Sequence, residues 1–225
     1  MKTILALAIL LFCFVFTASA QHEYAPLQEK EIKYKNWNYK SVRDDSPMNL
    51  RDFANGKKLV MVVYFAAWCP NWRNEAPFAE KLYEKYKANG FDVVGVSEYA
   101  SVADTRANLD DKKITFPVVY ESESKDAKQK TPHYEYRRKT GDTRGWGSPW
   151  NIFLTPADLK KKGDTLVEKT FIVNGELMEA ETEAFIRQKL GLPAEEIKVT
   201  TAAKDKPIET CDADKNKKTA DFKKP

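Results

Sequence analysis

The hydrophobic and polar positions of this chain alternate between two periods. Leu59-Val60-Met61-Val62-Val63-Tyr64-Phe65 is an unbroken apolar run, the pattern of a strand buried on both faces. From Arg73 to Lys87 the period changes, with Ala76, Ala79, Leu82, Tyr83 and Tyr86 at helical spacing. Asn89-Gly90 ends that helix, with Gly90 suited to a left-handed cap. Phe91 to Val96 reads as the next strand, Ser101 to Leu109 as a second helix, and Thr115 to Tyr120 as another β-prone run. Trp150 to Leu154 and Thr170 to Val173 predict a late antiparallel pair. Glu179 to Leu190 predicts a closing amphipathic helix, with Ala184, Phe185 and Leu190 on its apolar side and Gly191 as its stop. Strands alternating with helices predict an α/β fold, a central mixed sheet covered by helices on both faces.

The two ends break this pattern. Residues 1–20 read MKTILALAILLFCFVFTASA: a basic start at Lys2, an apolar run from Ile4 to about Phe16, and a small-x-small site at Ala18-Ser19-Ala20. This is the layout of a cleaved signal peptide, with an uncleaved anchor as the competing reading. Cleavage predicts export, to the periplasm or another extracytoplasmic compartment, and leaves no membrane span. Residues 200–225 are dominated by Lys, Asp and small residues, with Ile208 and Phe222 the only bulky apolar ones. Such a segment buries too little surface to offset its ordering entropy and is expected to be a flexible Lys-rich tail. A domain over 21–199 is expected between them, its core at about 35–190. The stretch 121–145 is long, polar and charged, and reads as a functional loop or an insertion with its own short helix.

Composition narrows the function classes. Of 225 residues, 37 are Lys or Arg and 33 Asp or Glu, so the formal net charge is +4. Acids and bases interleave, so there is no basic footprint for nucleic acid. Removing Lys2 with the leader leaves 36 basic residues against 33 acidic ones. Three cysteines are too few for a disulfide-stapled scaffold. Cys13 lies in the leader, so the mature chain keeps Cys69 and Cys211. Export would place both where disulfides persist.

The chemistry concentrates in Phe65-Ala66-Ala67-Trp68-Cys69-Pro70-Asn71-Trp72-Arg73-Asn74-Glu75-Ala76-Pro77. Cys69 falls at the expected helix N-cap and Pro70 in the first turn, where proline is tolerated. Unpaired N–H groups and the positive end of the helix dipole favour a thiolate there, the nucleophile of disulfide exchange. Arg73, one turn on, adds to that bias. An exposed, reactive thiol is the expectation; the bland alternative is a buried, inert cysteine.

This segment resembles the thioredoxin superfamily, on its TlpA/ResA-like, redoxin (AhpC/TSA-type) side, where a strand leads into W-C-x-x-C-x-x-E-x-P and a helix. Four other segments match in order: Met48 to Lys57 is similar to the lead-in of the first core strand, Val93 to Ser97 to the second strand, Phe116-Pro117-Val118-Val119 to the "fPvl" strand, and Gly147 to Leu154 to the "G-x-P-t-t-F-l" segment. The resemblance implies a thioredoxin-like fold over about residues 35–190. It implies that Pro149 is cis and lies against Cys69, and that Glu75 tunes thiol acidity; a helix-surface Glu is the alternative. The residue before such a proline, Ser148, would be free to pair with a substrate peptide.

One departure matters. The family's second cysteine is Trp72 here, so a mixed disulfide on Cys69 cannot be resolved within the motif. A monothiol cycle with an external thiol, resolution by Cys211, or a site reduced to binding all remain open. Cys211 sits between acids, in Glu209-Thr210-Cys211-Asp212. Parity suggests that it pairs with Cys69. A classical peroxidase is not expected, because the positions that would cradle peroxide are the apolar Val62 and Ala66. Trp68, Trp72, Trp146 and Trp150 flank the two motifs and are expected to form an aromatic, peptide-facing rim. His22 and His133 have no spaced metal-ligand partners, and no metal or cofactor is expected; a Cys69–His133 pair is the one catalytic use a histidine offers. Two readings follow. One is an exported thiol–disulfide exchange protein acting on protein or small-molecule thiols and disulfides. The other is a redox-inactive, thioredoxin-fold binding module using the Trp-lined surface and the Pro149 edge.

Overall fold

The structure is a computed structural model, and it describes residues 22–194. The expected leader, the tail and Cys211 lie outside the described residues. The chain order is β1 (Tyr24–Ala25), β2 (Gln28–Lys35), β3 (Asn38–Ser41), β4 (Pro47–Asn49), α1 (Leu50–Ala54), β5 (Leu59–Phe65), α2 (Pro70–Tyr86), β6 (Phe91–Ser97), α3 (Val102–Lys112), β7 (Val118–Tyr120), α4 (Pro132–Lys139), β8 (Trp150–Leu154), β9 (Thr165–Val173), β10 (Glu176–Leu177) and α5 (Glu179–Leu190).

Eight strands form one mixed sheet in the order β2-β9-β8-β5-β6-β7-β3-β4. β5, β6 and β7 run parallel, and β8 and β9 add the expected antiparallel pair. β1 and β10 form a separate parallel pair. β5 is central, and its alternate side chains feed two cores. Met61, Val63 and Phe65 point to one, with Trp72, Ala76, Ala79 and Leu82 of α2 and Phe185, Ile186 and Leu190 of α5. Val60, Val62 and Tyr64 point to the other, with Leu50 and Ala54 of α1 and Tyr136 of α4. Period-2 alternation along a strand covered on both faces requires this division.

One stretch departs from the sequence expectation, and another meets it. β2 was not anticipated, because Gln28-Glu29-Lys30-Glu31-Ile32-Lys33-Tyr34-Lys35 is charged at every position but a few. It is an edge strand, where such charge guards against unwanted pairing; only Ile32 and Tyr34 turn inward. The polar stretch 121–145 carries the expected short helix, α4, and a 3-10 turn, Lys125–Ala127.

Candidate active site

Cys69 is the N-cap of α2, with extended backbone at φ −76° and ψ 127°. Its N–H donates to the Ala66 carbonyl at 2.9 Å, and its carbonyl accepts from Arg73 N at 3.1 Å, closing the first turn. Pro70 occupies the first helical turn. The Cys69 sulfur thus stands at the open N–H groups and positive end of a 17-residue helix.

The second half of the site comes from the loop before β8. The Ser148–Pro149 peptide bond is cis. The Ser148 carbonyl oxygen lies 3.2 Å from Cys69 Sγ. Ser148 Oγ accepts from Ala66 N at 2.8 Å, so one residue joins this loop to the turn carrying Cys69. Gly147 has φ +60°, and a Cβ there would lie 2.3 Å from Arg137 Cδ. Only glycine allows the loop to pass Arg137 in this conformation. Arg137 holds the same loop by donating to the Arg144 and Gly145 carbonyls at 2.7 and 3.1 Å.

Cys69 is wholly buried and disulfide-bonded. The expected exposed thiol is therefore not what the structure has. The Ser148 carbonyl stands against this sulfur, and Cys69 belongs to the α2-side core.

Glu75 is not a surface residue. It is 3% exposed and projects from α2 towards β8 and β10. Its carboxyl accepts from Asn151 Nδ2 at 3.1 Å and from Leu177 N at 2.7 Å. Burial raises its pKa to about 8, opposed by those two hydrogen bonds.

The four tryptophans divide. Trp72 is fully buried, stacked on Phe65 at 4.0 Å between ring centres. Its Nε1 donates to Asn108 Oδ1 at 3.0 Å, and Asn108 donates to the Ala67 carbonyl at 3.1 Å. Trp150 is also fully buried; its Nε1 donates to Asn174 Oδ1 at 2.7 Å, and its ring packs on Tyr64. Neither forms part of a rim. Trp72 sits four residues before Ala76 and seven before Ala79, in phase with the buried stripe of α2, and that phase was the available signal. Trp68 and Trp146 do remain half-exposed, packed edge to face at 5.0 Å. Trp68 Nε1 donates to the Tyr99 carbonyl at 3.0 Å. Sequence reasoning missed the lysines beside them: Lys125 Nζ lies 4.2 Å from the Trp68 ring and Lys128 Nζ 4.1 Å from the Trp146 ring. It also missed Asn71, whose two side-chain amide atoms are buried without a hydrogen-bond partner among the described residues.

His133 is used elsewhere. It stacks on Tyr64 at 4.8 Å, and its Nδ1 lies 3.2 Å from the Tyr99 hydroxyl. Burial and the charge of Arg137 hold its pKa well below the usual imidazole value. His22 Nδ1 lies 3.2 Å from the Glu176 carboxylate. Among the described residues there is no group of three or more His, Cys, Asp or Glu able to hold a metal ion, and no helix long and apolar enough to cross a membrane.

A mixed sheet flanked by helices, a cysteine at the N-terminus of the helix after the central strand, and a cis-proline loop against its sulfur together define a thioredoxin fold. The AhpC/TSA family model matches residues 31–136. The chain is 32% identical over 78 residues to the thiol-disulfide oxidoreductase ResA of Oceanobacillus iheyensis, covering 35% of this chain and 40% of that protein. It is 42% identical over 50 residues to thioredoxin-2 of Saccharomyces cerevisiae, covering 22% of this chain and 48% of the other. The chain thus spans less than half the length of the curated relatives it matches. A solved thioredoxin-family thiol:disulfide interchange protein from Chlorobium tepidum aligns with a TM-score of 0.50 at 20% identity, over 72% of this chain and 98% of that one. Over these stretches the chain is similar to AhpC/TSA-type, ResA-like proteins, on a thioredoxin fold, with tryptophan in place of the second motif cysteine.

Proposed function

We propose that this protein is an exported thiol–disulfide exchange protein that works through Cys69, with Cys211 as the resolving thiol. The observation that carries the reading is a disulfide-bonded Cys69 at the N-terminus of α2, 3.2 Å from the carbonyl that precedes cis-Pro149. Trp72 cannot be its partner, and Cys13 belongs to the expected leader, which leaves Cys211.

In the reductive direction, the Cys69 thiolate attacks one sulfur of a substrate disulfide. A Cys69–substrate disulfide forms and the other substrate sulfur leaves as a thiolate. The Cys211 thiolate then attacks Cys69 Sγ, the mixed bond breaks, and the substrate leaves fully reduced. Two electrons have passed from the protein dithiol to the substrate, and an external dithiol reductant returns them. In the oxidative direction the same steps run backwards. Helix-terminal N–H groups stabilise Cys69 both as attacking and as leaving thiolate. Trp68 and Trp146 offer the substrate an apolar border.

The test is peptide mass spectrometry of exported protein, alkylated before and after reduction, followed by reaction of the reduced protein with glutathione disulfide. A Cys69–Cys211 peptide and a glutathionyl-Cys69 intermediate that accumulates in Cys211→Ser are expected. Cys69 capped only by an external thiol in the exported protein would assign resolution to that thiol instead.

A second reading rests on the complete burial of Cys69. In it the fold is a binding module that keeps a partner on the Trp68 and Trp146 surface without turnover. It predicts that Cys69→Ser retains partners in a pull-down and that reduced Cys69 does not react with glutathione disulfide.

A further inference from the structure

The stretch 121–145 places two lysines over the aromatic border of the site. Trp68 immediately precedes Cys69, and Trp146 lies two residues before Ser148, whose carbonyl meets the sulfur. Lys125 Nζ stands 4.2 Å from the Trp68 ring and 5.9 Å from the Trp146 ring; Lys128 Nζ stands 4.1 Å from the latter. Lysine held over an aromatic face keeps its charge and gains a fixed position. The wall beside the sulfur is therefore aromatic and positive. Asn71 follows Pro70 in the first turn of the helix capped by Cys69. Its amide N and O are both buried without a hydrogen-bond partner among the described residues, and a buried amide of that kind calls for a polar partner such as a peptide backbone.

One segment of the chain has the matching chemistry. Ile208-Glu209-Thr210-Cys211-Asp212-Ala213-Asp214 carries a cysteine, three acids and no base, within a tail otherwise rich in lysine. We propose that residues 208–214 dock on the Lys125–Lys128–Trp68–Trp146 wall, so that the two lysines select the acidic surroundings of Cys211 and deliver its sulfur to Cys69. This rests on the reading above that Cys211 resolves Cys69, and deepens it by assigning the resolving step its recognition surface. A tether alone gives Cys211 an effective concentration set by tail length; charge pairing beside the target raises it. Lys125 and Lys128 act as positioning residues here. They touch neither sulfur.

The test uses the mature full-length protein in glutathione redox buffers, acid-quenched and alkylated. The equilibrium constant for the Cys69–Cys211 disulfide is read by peptide mass spectrometry at low and high salt. The wild-type constant is expected to fall as salt rises. Lys125→Glu with Lys128→Glu is expected to lower it roughly tenfold at low salt, as is Glu209→Lys with Asp212→Lys and Asp214→Lys. Combining both sets should restore most of the loss, which no general damage to the site would do. Equal constants in all four proteins, or no recovery in the combined variant, overturn the docking while leaving the exchange reading intact. Failure to form a Cys69–Cys211 peptide in any buffer overturns both.

Discussion

The Ser148 carbonyl oxygen lies 3.2 Å from the Cys69 sulfur, across 79 residues of sequence. The same serine accepts a hydrogen bond from Ala66 N through its hydroxyl. Ser148 thereby sets the distance between the two loops that make the site. Ser148→Ala leaves the buried Ala66 N–H unpartnered, at an expected cost of about 1–3 kcal/mol. Urea denaturation checks this, and a change within a few tenths of a kcal/mol would show that the loops do not depend on the bond.

Gly147 is a sharper case. Its φ is +60°, and an added Cβ would meet Arg137 Cδ, Nε and Cζ at 2.3, 2.7 and 2.9 Å. Arg137 is 1% exposed and fastened to the same loop, so it has little room to retreat. Gly147→Ala is expected to cost at least about 1–3 kcal/mol through strain alone and to slow reaction of reduced Cys69 with glutathione disulfide. Unchanged thermal stability would mean that the loop tolerates a side chain there.

Glu75 imposes a pH dependence on stability. Its pKa rises from 4.5 towards about 8 on folding, chiefly through burial. The folded state then holds a proton that the unfolded chain has released, so stability falls as pH rises between these values. Full ionisation would cost at most roughly 5 kcal/mol. Its contribution is fully present below pH 4.5 and lost by the time pH passes about 8. Glu75→Gln is expected to flatten that decline, because the amide can still accept from Leu177 N. Urea midpoints at pH 5.5 and 8.5, with the disulfide state held constant, test it; equal slopes in both proteins would exclude Glu75 as the source.

Trp72 stands where a second motif cysteine would restore the family's dithiol, yet it fills the core against Phe65 and holds Asn108. Trp72→Cys is expected to destabilise the fold by about 3–5 kcal/mol, as for other large-to-small changes in cores, and to strand the Asn108 side chain. Chemical denaturation of this variant with both thiols reduced provides the measurement. A loss below about 1 kcal/mol would show that the site can close around the smaller side chain.

Much of this arrangement was legible without coordinates. The run Leu59–Phe65, the change to helical period at α2 and the Trp68–Cys69–Pro70 junction state local preferences that neighbouring residues satisfy among themselves. The motif order anticipated the thioredoxin fold, cis-Pro149 and its approach to Cys69. Burial was less legible. Glu75 and Trp72 are ordinary helix residues by sequence, and only the packing of β8 and β10 on α2, and of Phe65 and Asn108 on Trp72, encloses them.

The sequence by itself determined the central strands and helices from Leu59 onward, their order and the lone motif cysteine, because strand and helix periodicities and proline or glycine constraints act over a few residues. Only the tertiary structure decided which tryptophans are buried and which stay partly exposed, that the Cys69 side chain is buried, and that Lys125 and Lys128 stand over the Trp68 and Trp146 rings. Those facts depend on contacts between residues tens of positions apart, and a one-dimensional pattern does not encode which distant side chains share a surface.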